Sequence, residues 1–100
     1  MNIIEVTMVR VYVMEASHLL AKVVDCLKTT AKVRGISVFR AISGYGESGV
    51  HTSTLVDLSL NLPLVIEFFD THEKITQALA ELTKIVKPEH IIFWDAKVNA

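Results

Sequence analysis

The chain lacks most of the residues that would mark a specialised chemistry. Its 100 residues contain one cysteine, Cys26, so no intramolecular disulfide forms and no C-x-x-C pair exists for metal or redox work. Its four histidines, His18, His51, His72 and His90, stand far apart, with no H-x-x-x-H spacing that would put two ligands on one helix face. No apolar run approaches the ~20 residues of a membrane span. The longest, Leu62 to Phe69, is broken by Glu67, so no direct membrane insertion is expected. Charge of one sign is lacking too: the net charge is −1 and the pI about 6.4. Without a basic stripe there is no electrostatic footprint for nucleic acid. No signal-peptide pattern opens the sequence, and the lone thiol suits a reducing interior, so a cytoplasmic location is expected.

What the chain has is apolar surface. Hydrophobic residues make up 51% of it, and the mean hydropathy is +0.42. In a chain too short for more than one core, residues 1–100 form a single domain. The excess apolar surface predicts burial against further subunits.

Periodicity then orders the chain. Ile3 to Met14 alternates, with bulk on both faces, as in a central strand. From about Ser17, a candidate N-cap, to Arg34, apolar Leu19, Leu20, Val23, Val24, Leu27 and Ala31 recur at helical spacing. Gly35 stands where a left-handed C′ residue belongs. Ile36 to Ile42 reads as the second strand. Leu55 to Leu60 resumes alternation, Asn61 marks a bend, and Pro63 fits only a strand start or edge. Leu64 to Phe69 is strongly β-forming. Asp70-Thr71-His72-Glu73 reads as a capping box with Asp70 as N-cap. Ile75, Ala78, Leu79, Leu82, Ile85 and Val86 then share one face of a second helix, which Pro88 stops. Ile91 to Val98 is the last strand. The order β-α-β-β-α-β predicts an α+β, ferredoxin-like fold: a four-stranded antiparallel sheet with two helices on one face. The other face is left bare, and Phe39, Phe69, Phe93 and Trp94 are its candidate cover.

No catalytic set emerges. Glu47 and Asp57 read as solvated carboxylates, and Cys26 as a structural thiol near the apolar stripe of the first helix. Gly44-Tyr45-Gly46 fits neither the G-x-x-x-x-G-K nor the G-x-G-x-x-G phosphate frame. An enzyme is therefore not expected. The unusual segment is Ser43 to Ser53, eleven residues between strands and long for a hairpin. Gly44 and Gly46 permit close backbone approach to an anion, and Ser43, Ser48, Thr52 and Ser53 add hydroxyl donors. On residues alone, an anion-binding loop and a plain hairpin tip are equally supported.

Gly35-Ile36-Ser37-Val38-Phe39-Arg40, then Ile42-Ser43-Gly44-Tyr45-Gly46, then His51-Thr52, resembles the G-x-[ST]-V-x-[RE]-x-x-G-[FY]-G-x(n)-H pattern of PII-like (GlnB-like) signalling proteins. Leu62-Pro63-Leu64-Val65-Ile66-Glu67, with Asp70 and Glu73-Lys74-Ile75, is similar to a compact, uncharacterised domain-of-unknown-function branch of that superfamily. The likeness runs from about Val11 to Val98. It implies a homotrimer that takes an adenine nucleotide (AMP, ADP, ATP or a cyclic nucleotide) in inter-subunit clefts. It also implies that the loop 43–53, the T-loop, regulates a target protein such as a membrane transporter. By position, Arg40, Gly44, Tyr45, Gly46 and His51 are the implied ligand-binding residues, with Lys87 and His90 before the last strand. The competing reading of Arg40 is an ion-pair partner of Glu67 or another carboxylate. Two features depart from the longer-looped PII proteins. Tyr45 lies between the glycines at the loop base, so uridylylation is not implied, and Lys87-Pro88-Glu89-His90 has no glycine for gripping phosphate. The alternative is a ligand-independent docking trimer on the same loop. A metal site or an enzyme on this fold is a third reading.

Overall fold

The first alternating run forms the strand that the rest of the sheet is built on. In the computed structural model, which describes residues 2–43 and 61–100, this run is β1, Ile3–Met14. The other strands are β2, Ile36–Arg40, β3, Pro63–Asp70, and β4, Ile91–Asn99. They form one sheet in the order β2-β3-β1-β4, each neighbour antiparallel. Two helices connect them: α1, Leu20–Asp25, which runs on into a π-helical turn at Cys26–Thr30, and α2, His72–Leu82. This is the expected α+β, ferredoxin-like arrangement. The segment read as Leu55 to Leu60 lies outside the described residues.

The core forms between one sheet face and the helices. Val9, Val11 and Val13 of β1 stand opposite Phe68, Ile66 and Leu64 of β3. All six are buried with Val23, Cys26, Leu27, Ile75, Ala78 and Leu82 of the helical layer. Fully burying side chains such as Leu27, Ile66, Ile75 and Leu82 stabilises the fold by about 1.5–3 kcal/mol each before the entropy of ordering is counted. Among the described residues, no helix lies over the opposite face. Met8, Arg10 and Tyr12 lie there in register with Phe69, Glu67 and Val65. Ile92 and Trp94 of β4 stand beside Arg10 and Met8, and Phe39 beside Val65. Phe39, Ile92, Trp94 and Tyr12 are all exposed. Phe93 differs from the expectation: its register partner is Val9, so it projects to the helical side, at the rim.

Several local signals resolve differently from their sequence reading. Ser17 does not cap α1. It sits in a 3₁₀ turn, Glu15–Ser17, its hydroxyl donating to Met14 O, and the helix proper starts at Leu20 after His18 at φ 59°. The helical run ends by Thr30, not Arg34. Ala31 N–H donates to Cys26 O and Val33 N–H to Leu27 O. The left-handed position between them is Lys32, at φ 56°, rather than Gly35. The Lys32 carbonyl accepts a hydrogen bond from Lys74 Nζ at 2.7 Å. β2 stops at Arg40, short of Ile42. Pro63 does begin its strand, where no ladder N–H is needed. The cap of α2 is Thr71, whose Oγ1 accepts from Lys74 N–H. Asp70 instead ends β3. Its carboxylate accepts N–H bonds from Thr71 and Arg34.

Candidate functional site

One end of the sheet holds Arg40, Lys87 and His90, the described members of the set the sequence singled out. β1 and β2 end there, and β3 and β4 begin. Just past β1, Glu15 N–H donates to Leu62 O at 3.1 Å, and Ala16 N–H donates to Asn61 Oδ1 at 3.0 Å. These bonds fix the 3₁₀ turn against the start of β3. Arg40, the last residue of β2, reaches that turn. Its Nε donates to Glu15 Oε2 at 3.0 Å and its Nη2 to Glu15 Oε1 at 3.1 Å. The fork-to-fork pairing holds the Glu15 carboxyl below the ordinary carboxylate range, Arg40 being the chief cause. Of the two partners weighed for Arg40, Glu67 is excluded and another carboxylate is found. Glu67 belongs to Arg10 on the open face, at 2.8 and 3.0 Å.

Gly44, Tyr45, Gly46 and His51 lie outside the described residues. Arg40, the last residue of β2, stands four residues before Gly44 in the sequence. Lys87 precedes and His90 ends a second turn, Pro88–His90, where His90 N–H donates to Lys87 O at 2.9 Å. That turn is at the same end of the sheet as Arg40 but before β4, on the opposite edge. β3 and β1 lie between, so the two places are about 14 Å apart at a strand spacing of about 4.8 Å. One chain therefore does not bring Arg40 together with Lys87 and His90. Among the described residues, no cluster of three His, Cys, Asp or Glu is placed to hold a metal ion. No described helix is long and apolar enough to cross a membrane.

A concavity that the sequence reading did not single out lies at the other end of β2. It encloses about 360 Å³ between Met8, Arg34, Gly35, Ser37, Glu67 and Phe69. The Arg34 guanidinium lies 5.6 Å from the Phe69 ring centre and 3.5 Å from the Asp70 carboxylate. Asp70 is buried, which works to raise its pKa. The Thr71 and Arg34 N–H groups, the Arg34 guanidinium and Lys74 outweigh that and hold it below its usual value. The hollow thus offers a cation on an aromatic face, a carboxylate and a hydroxyl. Gly35-Ile36-Ser37 and Glu67 entered the sequence reading as motif and not as site. Gly35 leaves open space where a side chain would stand.

The wall of this hollow continues onto the open face. Arg10, paired with Glu67, stacks 5.3 Å from the Trp94 ring centre. Its contacts with Tyr12 and then Glu67 raise its pKa still further. Near the middle of β1, Thr7 Oγ1 hydrogen-bonds His72 Nδ1 at the start of α2.

Comparison with known proteins agrees with this fold. The chain resembles a UPF0166 protein of Methanocaldococcus jannaschii, 37% identical over 60 residues. It also resembles one of Aquifex aeolicus, 43% identical over 56 residues. These matches cover 60% and 52% of the chain, and 56% and 53% of the relatives. The chain thus spans about half the length of the curated relatives it matches. In fold it is similar to CPII of Thiomonas intermedia K12, solved with ADP and bicarbonate. The TM-score is 0.74 at 18% identity, covering 99% of this chain and 93% of that one. The same protein solved with ADP, AMP and acetate gives 0.72 at 14% identity, covering 100% and 94%. A Thermus thermophilus protein described as PII-like signaling gives 0.63 at 18% identity, covering 98% and 91%. The fold is that of the PII-like proteins, and with residues 6–98 matching the family described as DUF190, uncharacterized ACR, COG1993, the chain belongs to that family.

Proposed function

We propose that this protein is a PII-like signal-transduction protein, a non-enzymatic homotrimer that senses an adenine nucleotide in clefts between subunits. Through residues 43–53 it regulates a target protein such as a membrane transporter. The observation that carries this reading is the whole-length fold match to CPII, whose structures hold ADP and AMP. The distribution of cations supports it. Arg40 and the Lys87/His90 turn flank opposite sheet edges, where only a neighbouring copy brings two such groups to one anion. Arg40 already grips a carboxylate with both arms of its fork, the geometry that also suits a phosphate. Gly44, Tyr45, Gly46 and His51 complete the proposed ligand set from the segment that Arg40 leads into. The open face, with Phe39, Ile92 and Trp94 exposed around the Arg10–Glu67 pair, supplies the apolar area for subunit contact.

Thermal melting of the purified protein against AMP, ADP, ATP and cyclic AMP tests the reading. A ligand at 100 times its Kd that binds only the folded state adds about 2.7 kcal/mol, a shift of several degrees for a domain this size. A shift with one nucleotide, lost in Arg40→Ala, is the expected result. No shift with any of the four overturns the sensor and leaves the ligand-independent docking trimer.

A further inference from the structure

A carboxylate of the chain itself fills the guanidinium fork proposed to take a phosphate. Arg40 ends β2, and Glu15 opens the 3₁₀ turn that follows β1. Arg40 Nε and Nη2 donate to separate oxygens of Glu15, at 3.0 and 3.1 Å. Arg10 grips its carboxylate differently: its Nε and Nη2 both donate to one oxygen, Glu67 Oε2. Two parallel N–H donors on two oxygens is the arrangement in which a guanidinium also takes a phosphate. A phosphate bound to Arg40 in this way stands where the Glu15 carboxylate stands.

The backbone that carries Glu15 is anchored. Its N–H donates to Leu62 O at 3.1 Å, and the next N–H, of Ala16, donates to Asn61 Oδ1 at 3.0 Å. The carboxylate is thus held beside the fork and meets it at a high effective concentration. The pair is also open to water, with 53% of the Arg40 side chain and 33% of the Glu15 side chain exposed. An ion pair in that setting is weak enough to exchange with an anion from solution. Arg40 in turn keeps the Glu15 carboxyl below its ordinary range, so it is charged at neutral pH.

We infer that Glu15 is a built-in competitor of the ligand: its carboxylate occupies the Arg40 fork in place of a nucleotide phosphate and must leave before that phosphate binds. The inference rests on the sensor reading above, in which Arg40 is a ligand contact. It assigns Glu15 the role of setting how much nucleotide the protein needs. The apparent Kd is the intrinsic Kd divided by the fraction of protein whose fork is free. For an exposed pair that factor is about two- to five-fold.

The test is calorimetric titration of AMP, ADP, ATP and cyclic AMP into the wild type, Glu15→Gln, Arg40→Ala and the double variant at one salt concentration, with circular dichroism confirming that each is folded. Glu15→Gln removes the charge and keeps the backbone N–H that Leu62 accepts. It is expected to lower the Kd of the nucleotide that binds by about two- to five-fold. Arg40→Ala is expected to weaken binding, and the double variant to bind no better than Arg40→Ala alone, because without the fork Glu15 has nothing to block. A Kd that Glu15→Gln leaves unchanged or raises overturns the competitor while the sensor reading stands. The same gain from Glu15→Gln in the Arg40→Ala background overturns it too, since general charge repulsion then explains the effect. Arg40→Ala binding as tightly as the wild type shows that the phosphate does not use the fork, and again overturns it. No binding of any of the four by the wild type or by Glu15→Gln overturns the sensor reading, and the competitor with it.

Discussion

Arg40 and Glu15 face each other fork to fork, with two hydrogen bonds of 3.0 and 3.1 Å, at the point where the chain leaves β2 for the segment proposed to contact a target. The pair joins the ends of two strands that are not adjacent in the sheet. It is exposed, so its value lies in geometry more than in stability.

The pairing makes Glu15 a reporter on ligand binding. Its carboxyl titrates below the ordinary carboxylate range because Arg40 favours the charged form. In Arg40→Ala, an NMR titration is expected to find the Glu15 pKa back near its ordinary value. With saturating nucleotide, a phosphate that takes over the Arg40 fork is expected to raise the Glu15 pKa in the wild type. An unchanged Glu15 titration alongside demonstrated nucleotide binding would show that Arg40 is not a ligand contact.

Asp70 is expected to govern the acid limb of stability. Its carboxylate accepts the Thr71 and Arg34 N–H groups and lies 3.5 Å from the Arg34 guanidinium, so its pKa is lowered on folding. A lowered carboxyl stabilises the fold fully above its unfolded pKa of about 3.9. That contribution is lost as the pH falls from there through the folded value. Asp70→Asn removes the charge and is expected to cost about 1–3 kcal/mol at neutral pH. Urea melts between pH 2 and pH 7 would show the difference between wild type and variant shrinking toward the acid end. A difference independent of pH would mean the charge is not what Asp70 contributes.

Cys26 is expected to resist thiol reagents in the native state. It is 7% exposed, and burial, with Glu81 and Asp25 nearby, pushes its thiol pKa up. Modification by a chromogenic disulfide is expected to be slow natively and fast in urea. Rapid labelling of folded protein would mean that the layer of α1 and its π-helical turn opens far more easily than its packing indicates.

The order and type of the elements were legible in the sequence because they depend on local signals. The period-two run at Ile3–Met14, the strongly β-forming run at Leu64–Phe69, helical spacing from Leu20 to Leu27 and from Ile75 to Leu82, and Pro63 at a strand start each require only neighbours along the chain. The ferredoxin-like order follows from them. The rim position of Phe93 did not, because face assignment needs a register, and register is set by the partner strand. Caps misled for a related reason. Asp70 and Thr71 are both good N-caps, and what separates them is Arg34, 36 residues away, whose N–H claims the Asp70 carboxylate. Likewise the left-handed position falls at Lys32, not Gly35, where the carbonyl meets a lysine of α2 that is 42 residues away. The candidate site divides along the same line. Arg40 could be picked out by its place in a motif, but its partner could not: Glu15 is 25 residues earlier, and Glu67, the other candidate, is held by Arg10 across the sheet. The sequence by itself determined the fold's ingredients and their order. Only tertiary structure decided which charges meet and which side chains share a face of the sheet, because those depend on how distant segments pack.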